Sequence, residues 1–82
     1  MATVSDIEVG RRLRELRMAD TAPGNRTAAS LAEKLGVKPS TYRAYEYGTR
    51  HVPDKVKIRI AEYYGQNVDN IFYTVREHKM RS

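Results

Sequence analysis

Leu31-Ala32-Glu33-Lys34-Leu35-Gly36-Val37-Lys38-Pro39-Ser40-Thr41-Tyr42-Arg43-Ala44-Tyr45-Glu46-Tyr47-Gly48 is the stretch that decides the fold. Leu31, Ala32 and Leu35 recur at helical spacing and run into Gly36, a residue suited to the left-handed conformation just past a helix end. Pro39 fits the first position of a new helix, where its missing N–H has no partner to lose. That helix runs to Tyr47 and stops at Gly48, with Tyr42 and Tyr45 one turn apart facing inward. Two short helices thus meet at a tight turn, and the second presents Ser40, Arg43, Ala44 and Tyr47 on its other face.

Upstream, Ser5-Asp6-Ile7-Glu8 has the form of a capping box, in which the Ser5 hydroxyl and the Glu8 carboxylate satisfy free amides of a first helix. Val9, Leu13 and Leu16 form its apolar stripe, while Arg11, Arg12, Arg14 and Arg17 fill the positions between. The run from Ala19 to Arg26, punctuated by Pro23-Gly24, has no helical periodicity and is expected to be a loop, after which Thr27 caps the Leu31 helix. Downstream, Pro53 and Asp54 open a fourth helix that buries Val56, Ile60, Ala61 and Tyr64 and ends at Gly65. Asn67 caps a short fifth helix containing Val68, Ile71 and Phe72. From Thr74 the periodicity fails, so the chain is divided into a helical domain over 5–73 and a basic tail over 74–82.

At 82 residues there is room for one compact core and not for a second, catalytic domain. Fifteen Lys and Arg against ten Asp and Glu give a formal net charge of +5, which attracts polyanions over long range, although many basic proteins use such charge only for solubility. The chain contains no cysteine, which removes disulfides, thiolate catalysis and cysteine zinc sites and fits a reducing cytosol. No apolar run approaches the roughly 20 residues of a membrane span, and Met1-Ala2-Thr3-Val4-Ser5 lacks the pattern of a signal peptide. A cytoplasmic protein without a membrane partner is expected. His51 and His78 stand far apart, and no paired-carboxylate or glycine-rich phosphate motif is present, so neither an enzyme, a metal site nor a cofactor is expected.

A helix, a tight turn and a second helix form the unit in which one helix braces across a phosphate backbone while the next enters the groove. The residues from Leu31 to Val37 and from Thr41 to Arg50 resemble the Cro and lambda-repressor-like (XRE-type) family of helix-turn-helix proteins. The resemblance extends from about Val9 to Phe72 and includes Gly10, Leu13, Leu16 and Arg17 in the first helix and Asn67-Val68-Asp69-Asn70-Ile71-Phe72 near the end. It implies an all-α, compact five-helix bundle that binds operator DNA as a homodimer, commonly to repress transcription, in a protein of bacterial or phage origin. It also implies an ion pair between Arg17 and Glu46 that joins two helices and can orient Arg17 towards a phosphate.

By the same resemblance, bases are read from Pro39, Ser40 and Ala44. Pro39 and Ala44 can offer only apolar contact to thymine methyls, whereas Ser40 can bond several base edges. Arg43 is the long polar side chain best placed beside them to take guanine O6 and N7 together, and Lys38 is a phosphate ligand or a solvated residue at the helix entrance. Ala28 stands where the family commonly has a phosphate-gripping glutamine, so Thr27, Arg26 or helix amides must substitute. Thr41 is a phosphate ligand or a helix-start residue, Tyr47 is a phosphate contact or a half-buried ring with its hydroxyl in water, and Arg50 is a further phosphate contact. Arg76, Lys79 and Arg81 of the tail either add salt-sensitive affinity or form a solvated terminus. Ile71, Phe72, Tyr73 and Val75 are expected to form the dimer interface. The alternative is an antitoxin-like or anti-repressor protein in which that surface receives another protein.

Overall fold

The computed structural model describes residues 4–20 and 27–73. They form five helices: α1 (Asp6–Ala19), α2 (Ala28–Leu35), α3 (Pro39–Tyr47), α4 (Asp54–Tyr64) and α5 (Val68–Phe72). Ser5 caps α1 by accepting a hydrogen bond from the Glu8 amide at 3.1 Å. The reciprocal half of the expected capping box is not made. The Glu8 carboxylate turns instead to Arg11 and Arg12 on the next turn of the helix, because two guanidiniums outcompete one neutral amide. Hydrogen bonds from Arg11 and then Arg12 pull the Glu8 carboxyl down to about 2.

The turn between α2 and α3 follows from Gly36. Its φ of 75° lies in the left-handed region, and this lets the Val37 amide bond back to Ala32 O at 3.0 Å and the Gly36 amide to Glu33 O at 3.1 Å. Pro39 then opens α3 within three residues. Gly48 repeats the device at the far end of α3 with φ 77°, and a Cβ there would also stand 2.8 Å from Ile7 Cα.

The core is one cluster: Val9 and Leu13 from α1, Leu31, Ala32 and Leu35 from α2, Tyr42 and Tyr45 from α3, Val52, then Val56, Ile60 and Ala61 from α4. Ile71 and Phe72 complete it. They are 2% and 0% exposed, so the expectation that they form a dimer interface is corrected. A five-residue helix has no second face to spare, and its apolar side chains close the end of the protomer's own bundle. Tyr73 is half-buried, and Val75 lies outside the described residues.

Polar groups fasten α5 and α4 in place. The Arg12 guanidinium donates to the carbonyls of Asn70 at 3.3 Å, Ile71 at 3.1 Å and Tyr73 at 3.3 Å, satisfying acceptors that the short helix leaves open. Arg59 does the same for α2 by donating to Leu35 O at 3.2 Å. Lys57 is buried although it is charged. Its ammonium lies 5.7 Å from the Phe72 ring centre and 5.0 Å from that of Tyr73, with Asp54 at 3.6 Å as its counter-charge.

Two contacts set α3 on α1. Gly10 is buried against the last turn of α3, where a Cβ would stand 2.3 Å from Glu46 O and 2.7 Å from Tyr45 O. Beside it Arg17 meets Glu46 with two parallel bonds, Nε to Oε2 at 2.7 Å and the terminal nitrogen to Oε1 at 2.9 Å, as the resemblance implied. The side chains are only 14% and 7% exposed. The Tyr42 hydroxyl is buried beside Glu46, and burial, followed by interaction with the Glu46 carboxylate, pushes its phenol well above the ordinary range.

Gly10→Ala is expected to lower stability by about 2–3 kcal/mol although alanine favours helix, because the obstructing atoms are backbone carbonyls. Urea unfolding checks this, and a neutral or stabilising result would show that the helices do not approach so closely. Glu46→Ala should cost about 3 kcal/mol by removing the carboxylate that takes two hydrogen bonds from a mostly buried guanidinium. The double replacement Arg17→Met, Glu46→Leu should recover most of that loss. A single replacement costing under about 0.5 kcal/mol would place the pair among ordinary surface ion pairs.

Candidate nucleic-acid interface

The amphipathic pattern of α3 sorts its side chains cleanly. Tyr42 and Tyr45 are buried and meet edge to face, with ring centres 6.4 Å apart at 83°. Positions 40, 43 and 47 fall on the opposite side by helical spacing, and Ser40, Arg43 and Tyr47 are all exposed there. Tyr47 retains 71% of its surface, which for a large aromatic ring marks a side chain not used by the core. Pro39 is exposed at the first turn, and Ala44 is half-buried between the two faces.

The expected phosphate ligands are distributed around this helix. Lys38 precedes it at the N-cap position and is exposed, without making a side-chain cap. Thr41 is half-buried on the flank. Beyond Gly48, Thr49 is tied down through its hydroxyl, which donates to Ala44 O at 3.3 Å, and Arg50 beside it is exposed. Thr27 at the start of α2 accepts from the Ser30 amide at 3.1 Å, so its hydroxyl oxygen is engaged as a cap while its proton stays available to an acceptor. Arg26 lies outside the described residues, as do Arg76, Lys79 and Arg81 of the tail. Arg17 stands apart from this group, since its guanidinium is held by Glu46 and largely covered.

One basic side chain escaped the sequence reading. Arg14, taken there as a filler between apolar positions, lines an open cleft of about 220 Å³ together with Arg17, Ala28, Arg43, Glu46 and Tyr47. The cleft lies where α1, α2 and α3 converge. The available signal was spacing: Arg14 precedes Arg17 by three positions and so shares its side of α1, the side that faces α3. Among the described residues neither Arg14 nor Arg43 has an ion-pair partner.

His51 is placed near the start of α1, where its Nδ1 lies 3.0 Å from Asp6 Oδ1 and ties the loop after α3 to the first helix. No group of three or more metal-ligating side chains gathers among the described residues. No described helix is long and apolar enough to cross a membrane.

The arrangement is therefore a short helix, a glycine turn and a second helix whose outward face is polar, aromatic and basic. Such a face has the donors to meet base edges and phosphate oxygens and carries no acidic residue among Pro39, Ser40, Arg43 and Tyr47 to repel them. Comparison with curated proteins and with solved structures gave no significant match. A family model described as a helix-turn-helix domain matches residues 8–71, from α1 through α5. The chain belongs to the helix-turn-helix domain family, in keeping with its XRE-type pattern.

Proposed function

We propose that this chain is a transcriptional repressor that binds duplex DNA sequence-specifically as a homodimer, with α3 in the major groove. The observation that carries the reading is the division of α3. Tyr42 and Tyr45 anchor it in the core, while Ser40, Arg43 and Tyr47 stand outside with no role in packing. Arg43 is the principal base reader, taking guanine O6 and N7, and Ser40 bonds a neighbouring base edge. Pro39 and Ala44 add apolar contact to thymine methyls. Lys38, Thr41, Tyr47 and Arg50, with Thr27 and Arg26 from the α2 side, hold phosphates and set the register. Arg17 contributes chiefly by holding α3 in position through Glu46.

The two-fold contact falls to Tyr73 and Val75, now without Ile71 and Phe72. Ile58, 51% exposed on α4, and Val68 line the same surface opening as Tyr73 and extend that apolar face. To bind a palindrome, a dimer through this face must set its two copies of α3 about one DNA turn apart.

Selection from a randomised duplex library at near-physiological salt is expected to return a palindromic motif, and Arg43→Ala should relax its preference at one position per half-site, at a cost of about 1–3 kcal/mol for the preferred base. Retention without any motif would reduce the protein to backbone affinity and refute sequence-specific reading. Sedimentation of the free protein should give a dimer that Tyr73→Ser weakens. A monomer at every accessible concentration would remove the homodimer and leave that face to an unlike protein.

A further inference from the structure

We propose that the cleft between α1, α2 and α3 seats one backbone phosphodiester of the duplex, with Arg14 as its main ligand. This rests on the DNA-binding reading above and adds α1 to the interface. Three guanidiniums and one carboxylate line the cleft. Both oxygens of that carboxylate, Glu46, are already engaged by Arg17 at 2.7 and 2.9 Å. Arg14 and Arg43 therefore face the opening as two positive charges without a counter-charge among the described residues. They are carried by different helices, so chain connectivity does not account for their convergence. An anion is the occupant that relieves their repulsion.

Size and position specify which anion. The opening, about 220 Å³, is several times the roughly 30 Å³ share of a water molecule, and so accepts a tetrahedral oxyanion. It adjoins the outward face of α3, with Arg43 and Tyr47 common to both. When α3 lies in a groove, the strand bordering that groove passes beside the helix, and the flank of α3 that looks towards α1 and α2 meets phosphates rather than bases. The Arg14 side chain is exposed and has no ion-pair partner among the described residues, so its planar fork can take two phosphate oxygens. Arg17, fixed by Glu46, forms the wall against which that phosphate rests.

The test uses the full chain and Arg14→Gln, whose melting temperature should match that of the unaltered protein because Arg14 packs against nothing essential. Duplex affinity is measured across a salt series on a preferred and an unrelated sequence. Arg14→Gln should weaken both by the same factor, about fivefold to tenfold, and reduce the slope of log K against log salt by about 0.9. Arg14→Lys should restore the slope but not the whole affinity, since an ammonium keeps the charge and loses the fork. An unchanged slope and affinity in Arg14→Gln, with the unaltered protein still binding duplex, would overturn this proposal alone. Absence of any duplex binding by the unaltered protein would overturn both readings. Saturable binding of inorganic phosphate that perturbs the Arg14 Nε resonance, in a protein whose duplex affinity ignores Arg14→Gln, would assign the cleft to a free oxyanion and overturn the duplex assignment.

Discussion

Helix α1 can lie on the last turn of α3 because Gly10 has no side chain, and most of the molecule's working geometry descends from that approach. The carbonyls of Tyr45 and Glu46 occupy the space that a Cβ at position 10 would need. With the backbones this close, Arg17 on α1 reaches Glu46 on α3 in the two-bond geometry that a longer separation would not allow. Leu13 on α1 and the rings of Tyr42 and Tyr45 fill the remaining volume. A steric constraint and an ion pair thus fix the same helix, one limiting its distance and the other resisting sliding. The outward face of α3 inherits that definition, since its side chains are aimed by a helix whose opposite side is locked.

A rigid helix with a sparse set of base-reading groups favours a particular division of labour. Pro39 and Ala44 have no side-chain donor or acceptor, so in the proposed binding mode hydrogen-bonded readout from the front of α3 rests on Ser40 and Arg43. Fewer direct contacts shift weight to phosphate ligands that position the helix and to the sequence-dependent shape of the duplex. Positioning matters more when only two side chains read hydrogen-bonding patterns, because a small displacement of α3 removes a large share of the discrimination. Under the proposed function the Arg17–Glu46 pair and the Gly10 contact therefore bear on specificity although neither needs to touch a base.

Much of this fold was legible because its boundaries rest on local chemistry. Gly36 and Gly48 mark helix ends through backbone conformation, Ser5 and Thr27 mark beginnings through their hydroxyls, and Tyr42 and Tyr45 reveal the inward side of α3 by spacing alone. The misreadings share a different cause, competition among partners distant in sequence. Ile71 and Phe72 looked like spare apolar surface because a five-residue helix has too few residues to show which side is covered, and only the packing of α1 and α4 decides it. The burial of Lys57 has no sequence signal for the same reason: its charge is visible in sequence while the rings of Phe72 and Tyr73 beside it are not. Glu8 satisfied the capping-box pattern yet had two arginines within one helical turn to attract it. The same blindness hid Arg14, whose significance depends on Arg43 arriving from another helix.

The arginines also show why net charge is a weak guide to where a polyanion would bind. Arg11 is engaged by Glu8 and Glu15 of its own helix, whereas Arg12, Arg17 and Arg59 join elements, through Glu46 or through carbonyls at the ends of α5 and α2. Arg14, Lys38, Arg43 and Arg50 have neither kind of partner among the described residues, and they lie on or beside α3. A cation already matched to an internal acid projects little field, whereas an unmatched one projects its full charge into solvent and steers a polyanion from a distance limited by salt screening. Among the described residues the fold thus sorts the basic side chains: Arg12, Arg17 and Arg59 act inward between elements, whereas Arg14, Lys38, Arg43 and Arg50 are the cations that, under the proposed function, meet the polyanion beside α3.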